Sequence, residues 1–466
     1  MTGLRKIGTP GKISFILFVV SMLAGLLVPG STINKPVFGE SAQPQLWAVI
    51  VGISERQCPL CVYDQEWNIY PVDVKHPDDS ASDLASYLSP VTEPDHIKLL
   101  LNDQATNAGI YYAIKWLAES AGASDTALFY FCGHSASQYL GSYDYLISDQ
   151  QMAQWLDELH SQKVIVVLDT CYAGSFRDEL GNNGRVVLMS CQPSETSLED
   201  RELEHAVFTH YILKALDNFA ESDVNRNYEL SAKEIFDYAN PKTAAEVVAP
   251  FANLTADSNT QHPTIYIPPE KFGEINLLMQ VTVSSDAEHT PGDAVLTVDG
   301  KSYASKELPI SFTWLSGTSH TLEATRQIAN GDGTRLVFAS WNDGDTSSSK
   351  VISHGGDYTA NYGTQYKLTV ESQYGQPAGY GWYDSGSNAA LSCDTKNGSL
   401  IQHTFAGWTG DFTSMEANVA VPMDKNKTIK AVWHNDYLRL ILLLLAIMAA
   451  VGGIITAVVV LRKRKT

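Results

Sequence analysis

Ala127-Leu128-Phe129-Tyr130-Phe131-Cys132-Gly133-His134-Ser135 and Val164-Ile165-Val166-Val167-Leu168-Asp169-Thr170-Cys171-Tyr172-Ala173-Gly174-Ser175 share one layout: a short apolar run, then a small loop carrying a reactive side chain. Uninterrupted apolar runs of this length mark strands buried on both faces of a parallel sheet. His134 and Cys171 then fall just past the carboxyl ends of two strands, where open α/β sheets put their chemistry. A thiol needs a base to become a thiolate at neutral pH, and a nearby imidazole is the usual one. The pair predicts a hydrolase working through Cys171 and His134.

Outward from these runs, residues 44–268 alternate strand and helix patterns. Leu46-Trp47-Ala48-Val49-Ile50-Val51-Gly52-Ile53 reads as a first buried strand. Asp78 and Asp79 offer N-caps to a helix with Ala81, Leu84, Ala85 and Leu88 on one face. Residues 97–101 read as a second strand, and Thr106 caps a helix in which Ile110, Ala113, Ile114 and Leu117 recur at helical spacing. A short helix near 155–159, a strand at 186–189 and a helix at 208–216 complete the pattern. Such alternation predicts an α/β fold: a mostly parallel sheet with helices on both faces.

After Ile267-Pro268-Pro269 the texture changes to short runs rich in Thr, Val, Tyr, Ser and Gly. We expect small all-β modules at 275–362 and 363–436. Phe338-Ala339-Ser340-Trp341 and Phe405-Ala406-Gly407-Trp408 recur before turn clusters, which predicts a repeated β unit whose aromatics fill its core. The second unit, with Tyr380-Gly381-Trp382-Tyr383-Asp384-Ser385-Gly386-Ser387, resembles β-repeat modules of prokaryotic surface proteins. The resemblance implies a stalk or adhesion module with cell-surface partners.

The ends suggest a topology. Arg5, Lys6 and Lys12 precede an uncharged apolar stretch at 13–28 and then Pro29-Gly30-Ser31, the layout of a secretory signal within residues 1–40. Residues 438–461 predict a transmembrane helix, since about 20 apolar residues cross a bilayer core. The basic tail at 462–466 is expected to stay cytoplasmic, with the catalytic domain outside the cell membrane. A formal net charge of −20 argues against nucleic acid as a partner. Sequons at Asn253, Asn397 and Asn426 fit an exported chain. Cys58 and Cys61 form a lone CxxC, which without a second pair is poor evidence for zinc and in an exported loop fits a local disulfide at least as well; Cys132, Cys191 and Cys393 are expected to be packed core residues.

One further pattern concerns metal. Asp223-Val224-Asn225-Arg226-Asn227-Tyr228-Glu229-Leu230-Ser231-Ala232-Lys233-Glu234 carries oxygen side chains at the first, third, fifth, ninth and twelfth places of an EF-hand-like calcium loop. Asp223, Asn225, Asn227 and Glu234 are the metal candidates. The sixth place, normally glycine, is Tyr228, so the same stretch also reads as a solvated loop capping a helix from Ser231. No other cofactor is expected.

The order of these features resembles the caspase and metacaspase clan of cysteine peptidases: (Tyr/Phe)-x-Gly-His after one buried strand, Asp-x-Cys-x-x-Gly after the next, and a following strand leading to Glu195-Thr196-Ser197-Leu198-Glu199 and Phe208-Thr209. The resemblance implies an endopeptidase acting on protein or peptide substrates, with Cys171 as nucleophile and His134 as general base and acid. It also implies an oxyanion hole from the backbone N–H groups of Cys171 and Ser135, the latter standing where the family usually has glycine. Asp169 implies a pocket for Arg or Lys before the scissile bond, with Glu195 or Glu199 as a second acid. Self-cleavage is then expected after Arg177 or Arg185, if 176–185 is an exposed loop. The alternative is an inactive caspase-like adhesion or scaffold protein.

Overall fold

The computed structural model describes residues 43–55, 74–246, 261–269, 275–287 and 294–464. The expected signal segment, Cys58, Cys61 and Asn253 lie outside the described residues.

The first layer system runs β1 (Leu46–Gly52), α1 (Pro77–Leu88), β2 (Ile97–Leu101), α2 (Asn107–Ser120), β3 (Thr126–Cys132), α3 (Asp149–Leu156), β4 (Lys163–Asp169), β5 (Val186–Met189), α4 (Val207–Asp217), β6 (Glu229–Ser231), α5 (Ala232–Ala245) and β7 (Thr264–Tyr266). Six strands form one sheet in the order β7-β5-β4-β3-β1-β2, all neighbours parallel except the β7–β5 pair. The strand pleat sorts the apolar runs by parity. Leu128, Tyr130, Ile165 and Val167 pack against Leu84, Phe208 and Ile235 from α1, α4 and α5. Phe129, Phe131, Val164 and Val166 pack against Ile110, Ile114 and Met152 from α2 and α3. Both faces are therefore covered, which is why these runs lack polar alternation.

Thr106 caps α2, its hydroxyl accepting from the Gly109 N–H at 3.0 Å. The caps expected for α1 are different: the N-cap position is His76, and Asp78 instead accepts hydrogen bonds from Ser54 Oγ and, at 3.1 Å, from Asn102 Nδ2. Asp78 thus braces the loops after β1 and β2.

Beyond residue 275 the chain is β-structure: β8 (Asn276–Ser285), β9 (Ile310–Leu315), β10 (Thr334–Trp341), β11 (Gly356–Glu371), β12 (Gln402–Gly410) and β13 (Lys427–Asp436) belong to one sheet, with shorter strands forming facing sheets. β6 of the first system pairs with β8, so the sheet begins on the α/β domain itself. The module boundary expected at 362/363 falls inside β11, a 16-residue strand whose start pairs with β8 and whose end pairs with β13.

The recurring Phe-Ala-x-Trp has a structural reason. Each copy contains a register shift, between Phe338 and Ser340 in β10 and between Phe405 and Gly407 in β12. Residues three apart in a regular strand face opposite sides, and one extra residue restores them to the same side. Phe338 and Trp341 meet edge-on at 5.7 Å, Phe405 and Trp408 at 5.2 Å, each pair in its own core. Both tryptophans are buried, as core residues rather than a ligand platform.

α6 (Leu438–Lys463) is a 26-residue helix of mean hydropathy 2.7, long and apolar enough to cross a membrane, with Arg462 and Lys463 in its last turn.

Candidate active site

The adjacency of the two loops follows from register. β3 and β4 pair in parallel from Thr126 with Lys163 to Cys132 with Asp169. His134 and Cys171 each lie two residues beyond the last pair, so the chains leave the sheet side by side at its carboxyl edge. Side chains stitch them together there. Thr170 Oγ1 donates to the Gly133 carbonyl at 2.5 Å, and Ser135 Oγ donates to the Cys171 carbonyl. His134 and Cys171 line one cavity of about 80 Å³, together with Asp169, Ser197 and Glu199.

Asp169 forms the cavity's inner wall at 2% exposure. Its Oδ1 accepts from Ser197 Oγ at 2.6 Å, and its Oδ2 accepts from the Thr209 N–H at 2.9 Å and the Thr209 hydroxyl at 2.7 Å. Burial pushes this carboxyl up, and those donors pull it back only in part. Glu199 is also raised by burial, and its carboxylate accepts from the Lys75 N–H at 3.0 Å. Burial likewise pushes the Cys171 thiol up; a backbone hydrogen bond with Ser197 opposes this in part, and the neighbouring Asp169 and Glu199 add to it. The resting group is therefore a thiol, and chemistry at Cys171 requires a proton acceptor beside it.

Residues 83–271 match the family model of the caspase domain. Over this stretch the chain is similar to caspase domains, and its fold is caspase-like. No curated protein matches the sequence. A crystal structure of a protein from Geobacter sulfurreducens aligns over 50% of this chain and 97% of its own, at 14% identity and a TM-score of 0.35.

Within the caspase-like domain, several sequence expectations meet different surroundings. Ser135 is absent from the residues of positive φ, so serine replaces glycine there without left-handed strain, and its hydroxyl holds the Cys171 loop. Of the two acids proposed to join Asp169, Glu199 lines the cavity and Glu195 does not. Glu195 accepts from the His262 N–H at 2.8 Å and contacts His262 Nδ1 at 2.7 Å, which holds its carboxyl below the usual range despite some burial. The stretch at 176–185 is not an open loop: it contains the helix Arg177–Leu180, with Phe176 and Leu180 buried. Arg185 is 1% exposed, donating to Asp157 Oδ1 at 2.6 Å and to the Leu180 carbonyl at 2.7 Å. Contrary to expectation, Arg185 is thus not presented for self-cleavage, because a protease needs an accessible segment. Arg177 remains exposed, over the Tyr266 ring.

Sequence reasoning missed the bracing roles of Thr170, Ser197 and Thr209. Their one signal was position, beside Cys171 or in the segments quoted for the family resemblance.

The glycine of Asp-x-Cys-x-x-Gly has a steric cause. A Cβ on Gly174 would stand 2.7 Å from the Pro193 ring and backbone nitrogen and 2.9 Å from the Cys191 carbonyl oxygen, to which the Gly174 N–H donates at 3.0 Å. Gly174→Ala must push the Cys171 loop from the Cys191 loop. We expect a loss of roughly 1–2 kcal/mol, typical of overpacking, measured as a lower midpoint in urea unfolding.

Proposed function

We propose that the chain is a membrane-anchored cysteine endopeptidase in which Cys171 and His134 act as a dyad. The observation that carries this reading is the β3–β4 register, which delivers both residues from one sheet edge into one cavity. In the first step the Cys171 proton passes to His134 as Sγ bonds to the scissile carbonyl carbon. The N–H groups of Cys171 and Ser135 stabilise the oxyanion. His134 then gives its proton to the leaving amine, the peptide C–N bond breaks, and water hydrolyses the acyl-enzyme with His134 as base.

The same cavity supports cleavage after Arg or Lys. Asp169 and Glu199 give its wall two carboxyl groups, a chemistry that pairs with a guanidinium and rejects an acidic side chain. A cation there would also offset the negative potential that adds to burial in raising the Cys171 thiol, so the preferred substrate helps generate its own nucleophile. The deciding measurement compares peptides with Arg, Lys, Asp or Asn before the cut. A preference for Asp or Asn would remove the acidic-pocket assignment.

α6 supports anchoring, and the basic cluster after it supports a cytoplasmic carboxyl end with the catalytic domain outside, exported by the amino-terminal segment. On that reading the β modules act as a stalk offering a surface to other cell-surface molecules. Protease added to intact cells should remove the caspase-like domain and leave a carboxyl-terminal tag protected. Protection of the caspase-like domain would reverse the topology.

A further inference from the structure

Residues 223–228 follow the short helix Phe219–Ser222 and lead into β6, and nothing in the peptidase reading uses them. We propose that this segment binds a calcium ion, with Asp223, Asn225, Asn227, the Glu229 carbonyl and Glu234 as oxygen donors.

The feature that points to a ligand is Glu234. It is 5% exposed, its Oε2 accepts from the Ser231 N–H at 3.0 Å and the Ser231 hydroxyl at 2.9 Å, and its buried Oε1 has no hydrogen-bond partner. A carboxylate oxygen withdrawn from water without a donor is costly, and a cation removes that cost.

The strand fixes where this carboxylate lies. The Tyr228 carbonyl accepts from the Gln280 N–H at 2.9 Å, and the Ala232 N–H donates to the Ile275 carbonyl at 3.0 Å, so residues 228 and 232 face β8. The polar groups of Glu229 and Ser231 therefore face the other edge, since backbone direction alternates along a strand. The Glu229 N–H confirms this direction by donating to Asn227 Oδ1 at 2.9 Å. N–H and C=O of one extended residue point the same way, which turns the Glu229 carbonyl toward the loop. The Glu234 carboxylate, bonded to the Ser231 N–H, stands on that same side.

The loop is wound around its first acid. Asp223 accepts from the Asn227 N–H at 3.1 Å and the Tyr228 N–H at 2.8 Å. Tyr228 has φ 62°, the left-handed turn for which glycine is usual at the sixth place. Its ring hydroxyl donates to Asp357 Oδ2 at 2.8 Å, and its carbonyl takes the Gln280 bond, so contacts with the β sheet hold a residue that the turn alone would disfavour. The missing glycine is thus not an obstacle.

The donor set selects the ion. Among the described residues no three His, Cys, Asp or Glu side chains gather to hold a metal, so the donors here are two carboxylates, two amide oxygens and a carbonyl. All-oxygen coordination by neutral and charged groups suits a large hard cation, and calcium accepts six to eight such ligands. Magnesium's stricter octahedron suits it less well. With only two formal charges, affinity should be weak, a Kd on the order of 10⁻⁴–10⁻³ M, the range of extracellular modules.

The test is equilibrium dialysis of radioactive calcium against the full-length chain in detergent. One saturable calcium in that range is expected, with magnesium a weak competitor. Glu234→Gln, checked for native circular dichroism, should weaken binding at least tenfold. Asn227→Asp keeps the acceptor for the Glu229 N–H and adds a charge, so it should tighten binding about tenfold, a gain that misfolding cannot produce. Absence of saturable binding up to about 10 mM in both the native chain and Asn227→Asp would overturn the site. So would unchanged affinity in a folded Glu234→Gln protein, or equal affinity for magnesium.

Discussion

The full-length protein carrying Cys171→Ala should show no peptide hydrolysis above background while keeping the unfolding midpoint of the native chain. His134→Ala should do the same. A nucleophile and its base act as one unit, so removing either costs nearly the whole enhancement, on the order of 10⁴-fold or more. The structure predicts small changes in stability, because neither side chain is part of the two packed cores. The native thiol provides an independent readout. With burial, Asp169 and Glu199 raising it, alkylation of Cys171 by iodoacetamide should climb with pH past the range of an ordinary cysteine, near 8.5. Wild-type turnover in the Cys171→Ala protein would refute the mechanism outright.

Asp169→Asn should lower the efficiency of Arg-peptide cleavage by roughly ten- to a hundredfold, the equivalent of one charge-assisted pair shielded from water. Ser197 and Thr209 give the carboxylate three hydrogen bonds, so a substrate cation meets a group already held in place. The amide can still accept from Thr209, and the Ser197 hydroxyl can turn to accept from it, so the loop should survive the change. Removing the negative neighbour must also lower the Cys171 thiol pKa, since a like charge had opposed its ionisation. The variant should therefore alkylate faster near neutral pH while cleaving Arg peptides more slowly. A purely structural role for Asp169 would slow every substrate equally, whatever the residue before the cut.

Both apolar runs, the caps at Thr106 and Ser231, and the change of texture near 268 were legible because each is a local pattern with a local cause. A run buried on two faces needs no partner to be recognised, and a capping box needs only four residues. What the sequence concealed lies between distant segments. Glu195 and Glu199 are alike in composition and four residues apart, and only the fold sends one to His262 and the other to the cavity. Arg185 looked like a solvated cleavage site because its partner, Asp157, stands before the preceding strand. The boundary at 362/363 looked natural between two Phe-Ala-x-Trp units, yet a single strand supplies both cores. The candidate dyad itself was readable from flanking runs, whereas the matched register that brings it together was not.

β11 has a mechanical consequence. At about 3.3 Å per residue, its 16 residues make a rod some 50 Å long. Its start is clamped to β8, which holds β6 of the caspase-like domain, and its end is clamped to β13, which runs on to α6. Tension applied at α6 therefore reaches the caspase-like domain through ladders of hydrogen bonds. The β8–β11 and β11–β13 clamps are parallel pairs, loaded in shear so that their bonds share the force instead of opening one at a time. On the anchoring proposed above, this strand is a stiff link between the surface that α6 enters and the domain that holds the cavity.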